Sequence, residues 1–246
     1  MKKFKLAVVI MRAQLPTIAH LKLLDKCSEV AHHTLVLLGS ANLPPTFRNP
    51  FSADTRRTLL SEGMSSHQIM TTHMMPLPDF PTDFEWEADV LEKIAKAEKA
   101  LGISTPNETT LVAHEKDDTS YYVRNFPQIT LTEVESFGDY NATDARIAFW
   151  EGNYDRLNEL TVPAIVKELM QYRKTKEFAR LQEEYQAVNK FRESYKDLPH
   201  GINFITGDAL VICGSYILLV ERAGKIGKGL WALPGGFKEV GENIHK

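Results

Sequence analysis

The sequence predicts an α/β fold in which helices flank a doubly wound parallel sheet. Short apolar runs rich in β-branched residues recur along the first half of the chain, and segments of helical period separate them. Strands that alternate with helices in this way are typical of a parallel sheet. The chain has 246 residues, which is enough for one large domain or one and a half ordinary ones.

Five strands are predicted between residues 5 and 131. The first apolar run is short and rich in β-branched residues, as expected of a strand that is buried on both faces. The second run ends at Gly39-Ser40, where the chain becomes rich in Pro and Asn and is predicted to be a loop. The predicted strands cover residues 5–10, 34–38, 69–74, 109–113 and 128–131.

Helices are predicted between these strands and after them. Ser52 is expected to cap the second helix, with Asp54 favourable in its first turn. Pro163 suits a first-turn position in the last helical segment, which is predicted to consist of two helices. The helices are predicted over residues 20–30, 53 to about 62, 84–101 and 163 to about 197.

The composition of the chain changes near Pro199. Nine of the 14 glycines lie between Gly201 and Gly241, and residues 209–212 and 216–220 are predicted to form a hairpin. We therefore predict two domains, with residues 1–197 as the first, including a C-terminal linker helix. Residues 198–246 would form an incomplete α/β piece that is too short to close a sizeable core.

Charge and cysteine content exclude several classes of protein. The net charge is -3, which gives no reason to expect binding to nucleic acid or electrostatic attachment to a membrane. The two cysteines lie in different halves of the chain, so no disulfide framework is predicted and a reducing cytoplasm fits. No apolar stretch approaches the length of a membrane-spanning helix.

The loop after the first predicted strand carries the side chains expected at a phosphate site. Residues 11–20 read MRAQLPTIAH and join a buried strand to a helix. Amides at a helix N-terminus point toward a bound anion, and the helix dipole favours its negative charge. Thr17 and His20 are three residues apart at this helix start, so both can face the same anion. The alternative is that His20 is only a helix cap or a surface residue.

This loop resembles the [HT]-x-G-H loop of the nucleotidyltransferase superfamily, especially the form G-R-F-Q-P-P-T-x-G-H. Some positions depart from that form, since Met11 and Ala19 replace glycines, Ala13 replaces Phe and Leu15 replaces Pro. Glycines at those positions let the backbone approach the triphosphate closely, so the departures concern ATP affinity and rate. The positions that match are Arg12, Gln14, Pro16, Thr17 and His20.

A second motif lies far along the chain. Residues 141–146 read NATDAR and resemble the [IN]-[SA]-T-x-[IL]-R motif of the same superfamily. Thr143 can cap the helix that follows, and the forked guanidinium of Arg146 can reach phosphate oxygens. The alternative is a capped helix with a solvated arginine.

The middle of the chain resembles nicotinamide mononucleotide adenylyltransferases of the bifunctional type. Gly39 and Ser40, followed by Asn49 in an N-P-F-S stretch, match one part of that pattern, and the stretch KDDTSYY at 116–122 matches another. Trp86 lies in a D-x-x-W pattern and would stack on the nicotinamide ring, or else pack on the core.

The resemblance implies a Rossmann-like nucleotidyltransferase that joins ATP and nicotinamide mononucleotide to give NAD and pyrophosphate. His20 and Arg146 would stabilise the phosphate charge, and Thr17 and Arg12 would orient the triphosphate. Mg²⁺ would enter with ATP, held chiefly by phosphates and water, so no protein metal ligand is expected. The other implied nucleotide-binding residues are Gln14, Gly39, Ser40, Asn49, Trp86, Asp118, Tyr121 and Thr143.

The C-terminal stretch 229–242 resembles the start of a Nudix box, G-x5-E-x7-R-E-U-x-E-E-x-G-U. Gly236 and Glu242 have the required spacing, but the R-E-x-x-E-E part does not follow. We expect the chain to be truncated within that box and its Nudix half to be inactive, because the missing glutamates hold the metal in that family. The full-length form would also hydrolyse ADP-ribose.

Two other functions stay open from the sequence. One is a nucleotidyltransferase for a different phosphate acceptor, such as phosphopantetheine or a sugar or alcohol phosphate. The other is a non-catalytic nucleotide-binding protein with a lapsed site, for which Met11 and Ala19 are the support. Homo-oligomerisation and the choice between the mononucleotide and its acid form are also open.

Overall fold

The protein divides into two compact units, Met1–Lys174 and Thr175–Lys246. The computed structural model describes residues 3–114, 125–197, 203–238 and 241. Each unit is described by itself below.

The first unit is built on a five-stranded parallel sheet of order β3-β2-β1-β4-β5. The central strand β1 pairs with β2 on one side and with β4 on the other, so the strand order reverses between β1 and β4. Ligands of such sheets bind at this switch point, beyond the carboxyl ends of the strands. The predicted fold class is confirmed. The strands are β1 Phe4–Met11, β2 Ala31–Leu38, β3 Thr72–Pro76, β4 Thr109–Ala113 and β5 Thr130–Glu133.

Seven helices surround the sheet in the described part of this unit, with a short 3-10 turn before β4. The hydroxyl of Ser52 accepts a hydrogen bond of 3.1 Å from the Thr55 amide, which confirms the predicted cap of the second helix. Pro163 opens the seventh helix, as predicted. The helices are α1 Ile18–Val30, α2 Ala53–Gly63, α3 Ser66–Thr71, α4 Asp83–Ala100, α5 Ala142–Glu151, α6 Tyr154–Leu160 and α7 Pro163–Tyr172.

The predicted strand at 69–74 was wrong in its first half. Residues up to Thr71 belong to α3, and β3 begins at Thr72. A capping box starts this helix, since the Ser65 hydroxyl accepts from the Gln68 amide at 3.3 Å and the Gln68 side chain accepts from the Ser65 amide at 2.9 Å. The short helix α6 was not predicted either.

The core lies on both faces of the sheet. Alternate residues of β1 point to opposite faces, and Leu6 and Val8 belong to a buried cluster that includes Val90 and Ile94 of α4. Each fully buried aliphatic side chain stabilises the fold by about 1.5–3 kcal/mol. This packing holds the carboxyl ends of the central strands in fixed positions.

The second unit contains one long helix and three two-stranded antiparallel sheets in its described residues. The predicted hairpin is present, although shorter, and turns at Gly214-Ser215. The helix groups with this unit, whereas the sequence placed it in the first domain; the domain boundary near 198 stays a prediction. The elements are α8 Lys176–Glu193, β6 Thr206–Asp208, β7 Ile212–Cys213, β8 Tyr216–Ile217, β9 Val220–Glu221, β10 Trp231–Ala232 and β11 Gly235–Phe237.

Among the residues that the structure describes, no helix combines the length and the apolar character needed to cross a bilayer.

Candidate active site

A cleft of about 580 Å³ opens at the carboxyl ends of β1 and β4. One wall is the end of β1 together with the start of α1, including Arg12, Ala19 and His20. The opposite wall is the end of β4 and the loop 136–141. The cleft therefore lies at the switch point of the sheet, where the sequence placed the phosphate site.

His20 is held by hydrogen bonds at the start of α1. The Thr17 amide donates to Nδ1 of His20 at 3.1 Å, so Nδ1 is the acceptor nitrogen and the neutral ring carries its proton on Nε2. The Thr17 hydroxyl lies 2.9 Å from Nδ1 and 3.2 Å from the Tyr140 carbonyl oxygen. His20 thus brings an Nε2–H donor to the cleft wall at a helix N-terminus.

His20 is neutral at physiological pH. Burial, and to a smaller extent the positive charge of Arg146, lowers the pKa of His20 to about 4 from its ordinary value of 6.5. A neutral ring donates one hydrogen bond through Nε2 and keeps Nδ1 as the acceptor for Thr17. The tautomer is therefore fixed before any ligand binds.

The lowered pKa of His20 predicts a component of stability that depends on pH. Because the unfolded chain takes up the proton first, the stability present above pH 6.5 is lost as the pH falls toward 4. We expect a loss of about 2 kcal/mol from this group between pH 7.5 and 5. Urea unfolding at both pH values measures it against His20→Asn, which keeps an acceptor for the Thr17 amide but does not titrate. An equal loss in both proteins would contradict the assignment.

Arg146 lies close enough to Arg12 and to Arg48 to interact electrostatically with both. Burial lowers the pKa of Arg146, and the positive charges of Arg12 and Arg48 lower it further. Within the described residues, no carboxylate forms an ion pair with any of the three. Like charges that converge without a carboxylate favour the binding of a polyanion.

Arg48 was missed by the sequence analysis. The indole of Trp150 on α5 donates to the Phe47 carbonyl at 3.0 Å, and the hydroxyl of Tyr172 donates to the Pro50 carbonyl at 3.1 Å. These two bonds tie the loop that carries Arg48 to the helical segments that follow Arg146. Its position directly before the Asn49-Pro50-Phe51-Ser52 stretch could have indicated a role in binding.

Gln14 is buried and shapes the loop. Its side-chain oxygen accepts from the Phe51 amide at 3.0 Å, and its side-chain nitrogen donates to the Phe51 carbonyl at 3.2 Å. The hydroxyl of Thr161 donates to the Pro16 carbonyl at 2.7 Å. The phosphate loop is therefore fixed to two distant parts of the chain by buried hydrogen bonds.

Gln14→Leu is expected to destabilise the first unit by about 2–4 kcal/mol, because it leaves two buried backbone groups of Phe51 without partners. Urea unfolding measures the change. Gln128→Leu is the matched control, since Gln128 is exposed. A loss equal to that of the control would show that the Phe51 contacts do not stabilise the fold.

The remaining predicted binding residues lie in several places. The Gly39 amide donates to the Met11 carbonyl at 3.0 Å, and Ser40 has a left-handed φ of 53° and donates to Asp79 at 3.2 Å. The Asn49 amide donates to the Thr46 carbonyl at 3.1 Å. None of Gly39, Ser40 and Asn49 lines the cleft described above. Their roles in binding stay predictions.

Trp86 and Thr143 are the other predicted binding residues that the structure describes. Trp86 is half-buried on α4, packed against the core cluster, with its ring 6.1 Å from that of Phe126. The Thr143 hydroxyl accepts from Arg146 at 3.0 Å and holds that guanidinium. Asp118 and Tyr121 lie outside the described residues, as does Glu242.

Comparison with known proteins gives relatives that cover most of the chain. No family model matches. The chain is 28% identical over 189 residues to a nicotinamide/nicotinic acid mononucleotide adenylyltransferase of Acinetobacter baylyi, a match that covers 76% of this chain and 96% of the relative. It also superposes on a bifunctional NMN adenylyltransferase/ADP ribose pyrophosphatase of Francisella tularensis, complexed with AMP and a manganese ion, with a TM-score of 0.83 and 27% identity.

The Francisella match covers 98% of this chain and 70% of that one, and a second structure of the protein matches with a TM-score of 0.82. The chain has a nucleotidyltransferase fold. In this fold the departures at Met11 and Ala19 leave the strand and the helix intact, since Met11 pairs with Leu38 in the sheet and Ala19 lies in the first turn of α1.

Proposed function

We propose that the protein is a nicotinamide mononucleotide adenylyltransferase that makes NAD and pyrophosphate from ATP and nicotinamide mononucleotide. The observation that carries the proposal is that Arg146 interacts electrostatically with Arg12, Arg48 and His20, and that Arg12 and His20 line the switch-point cleft. The similarity to the Acinetobacter and Francisella adenylyltransferases supports it and suggests the acceptor.

The reaction needs no protein nucleophile. An oxygen of the mononucleotide 5′-phosphate forms a bond to the α-phosphorus of ATP, and the bond from that phosphorus to the oxygen bridging to the β-phosphate breaks. The acceptor phosphate is already largely ionised at neutral pH, so no strong base is required. Catalysis then consists of positioning and charge stabilisation.

His20 and Arg12 in the cleft wall, and three residues near them, have defined parts in this proposal. His20 donates from Nε2 to a phosphate oxygen as negative charge develops on the leaving pyrophosphate. Arg146 and Arg12 bind the phosphates with forked donors, and Arg48 adds a third positive charge. Thr17 orients the imidazole through Nδ1.

A divalent cation, Mg²⁺ in our proposal, would enter with ATP. Among the described residues, no three potential ligands come together as a metal site. We propose that phosphate oxygens and water are the chief ligands of this ion. Such an ion neutralises phosphate charge when it is bound.

The residues proposed to bind the acceptor nucleotide are assigned from the sequence motifs. Trp86, Asp118 and Tyr121 are proposed to hold the nicotinamide nucleotide. Residues 198–246 are proposed to belong to a Nudix domain, because the stretch 229–242 resembles the start of a Nudix box. The bifunctional Francisella protein supports this assignment. We also propose a cytoplasmic location.

A second candidate is a nucleotide-binding protein that does not transfer. Met11 and Ala19, which replace glycines of the motif, favour it. The intact set of Thr17, His20 and Arg146 favours the enzyme.

One assay separates the candidates. The purified chain is incubated with ATP, Mg²⁺ and nicotinamide mononucleotide, and NAD is measured by coupled reduction, with pyrophosphate measured in parallel. We expect the two products in equal amounts. A parallel assay with nicotinic acid mononucleotide instead of nicotinamide mononucleotide shows which of the two acceptors the protein prefers. No dinucleotide from a folded sample whose melting temperature ATP still raises would reject the proposed adenylyltransferase and leave a transferase for another phosphate acceptor or the binding protein.

A further inference from the structure

Arg56 on α2 is a fully buried arginine. Burial lowers the pKa of Arg56 to about 10, and the charge of Asp79 opposes that effect, so the guanidinium stays charged at neutral pH. Within the described residues no carboxylate forms an ion pair with it. Burying a charge without such a pair costs several kcal/mol, so the contacts of Arg56 must offset a large penalty.

The contacts of Arg56 are to backbone carbonyls at the ends of two strands. Its Nη1 donates to the carbonyl of Arg12 at 2.6 Å and to that of Gly39 at 2.7 Å. Its Nε donates to the Ser52 carbonyl at 3.3 Å, within its own helix cap. One nitrogen thus joins the loop after β1 to the loop after β2.

The backbone is strained at the residues that follow the two carbonyls bound by Arg56. Ala13 and Ser40 directly follow the two bonded carbonyls, and they are non-glycine residues with left-handed φ values of 44° and 53°. Such a conformation is sterically unfavourable for a residue that has a Cβ atom. It persists only where surrounding contacts hold it, and the two carbonyls bound by Arg56 belong to the peptide groups that precede these residues.

A polar network continues from the second carbonyl. Ser40 donates to Asp79 at 3.2 Å, and Asn42 exchanges two hydrogen bonds with the Asp79 backbone at 2.9 and 2.8 Å. The loops after β1, β2 and β3 are therefore connected through Arg56 and Ser40. A shift of the Arg56 side chain would move Arg12 and this network together.

We propose that Arg56 is a positioning residue for the transfer reaction, which sets the place of Arg12 at the phosphates by holding the two peptide groups at the ends of β1 and β2. The proposal rests on the proposed function. A misplacement of about 1 Å in a catalytic group lowers rates by as much as 100-fold, so the expected effect is on kcat.

The first test is Arg56→Lys. Lysine keeps a charge and most of the volume, but its ammonium group is on a shorter stem and lacks the second donor that reaches Ser52. We expect a folded protein whose kcat for NAD formation is about 10- to 100-fold lower. Leu60→Ala is the matched control, because Leu60 is fully buried on the same helix and its aliphatic side chain cannot donate a hydrogen bond to the loop carbonyls. It should lower the melting temperature and leave kcat near the wild-type value.

The second test is chemical rescue of Arg56→Ala. Guanidinium chloride, at concentrations well below those that unfold the protein, is expected to raise the kcat of Arg56→Ala about 10-fold or more. The ion can donate to the same two carbonyls. Sodium chloride at equal ionic strength, and urea, should not restore it. Leu60→Ala and the wild type should show no rise with guanidinium.

The outcomes decide between positioning and simple stabilisation. The proposal would be overturned if folded Arg56→Lys had the kcat of the wild type. It would also be overturned if the fall in kcat followed the fall in melting temperature, as in Leu60→Ala, and guanidinium did not restore it. If the wild type itself makes no NAD, the proposed function fails instead. Arg56 is then tested by ATP binding, which Arg56→Lys should weaken relative to Leu60→Ala; equal binding would overturn the positioning role.

Discussion

His20→Ala is expected to lower kcat for NAD formation by about 100- to 1000-fold, because it removes the donor aimed at the charge that develops on the leaving phosphates. The Thr17 amide bonded to Nδ1 fixes the proton on Nε2, so the wild-type ring is ready to donate without a change of tautomer. The KM for nicotinamide mononucleotide should change little. Steady-state kinetics with each substrate varied in turn measure both parameters.

His20→Asn separates the structural role of His20, which accepts from the Thr17 amide, from its proposed role as a donor to the phosphates. The Asn side-chain oxygen can accept from the Thr17 amide as Nδ1 does, but its nitrogen does not reach the position of Nε2. We expect stability close to that of the wild type at neutral pH and a kcat as low as that of His20→Ala. His67→Ala, at an exposed histidine of α3, is the inert control. More than a third of the wild-type kcat in a folded His20→Asn would rule out the proposed donor role.

The parts of the fold and site that depend on local sequence were predictable. Thr17 and His20 are three residues apart at a helix start, and that spacing alone brings the Thr17 amide to the His20 ring. The five strands follow from short apolar runs, although β5 begins two residues later than predicted and β3 three residues later. Its first half was taken by α3, because Ser65 and Gln68 cap a helix whose exposed Ile69 and Met70 resemble a strand in the sequence.

The parts that depend on contacts between distant residues were not predictable. The electrostatic interaction of Arg48 with Arg146 requires loop 41–50 to be tied to α5, and the bond from Trp150 to Phe47 spans 103 residues. Arg56 follows the N-P-F-S stretch that resembles the family pattern, but its burial was not predictable, since a charged residue on an amphipathic helix is normally exposed. Its burial follows from two carbonyls that only the folded sheet brings together.

Arg146→Met is expected to lower kcat/KM for ATP by about 100- to 1000-fold and to raise the pKa of His20. The rate falls because a forked donor to the phosphates is lost. The pKa rises because the charge of Arg146 is the second cause, after burial, of the lowered value in the wild type. NMR titration of the His20 ring measures the pKa, and Arg156→Met, at an exposed arginine of α6, is the control for loss of one positive charge.

Arg146→Lys separates charge from geometry in the same two measurements. A lysine keeps the positive charge, so the pKa of His20 should stay well below 6.5, while the loss of the planar fork should still lower kcat/KM for ATP. If the pKa of His20 is the same in Arg146→Met as in the wild type, the two groups are not electrostatically coupled. If the rate is also unchanged, Arg146 does not bind the phosphates, and the convergence of three arginines would have to serve another anion. The combined readout therefore tests the arrangement of the cleft as well as the role of one residue.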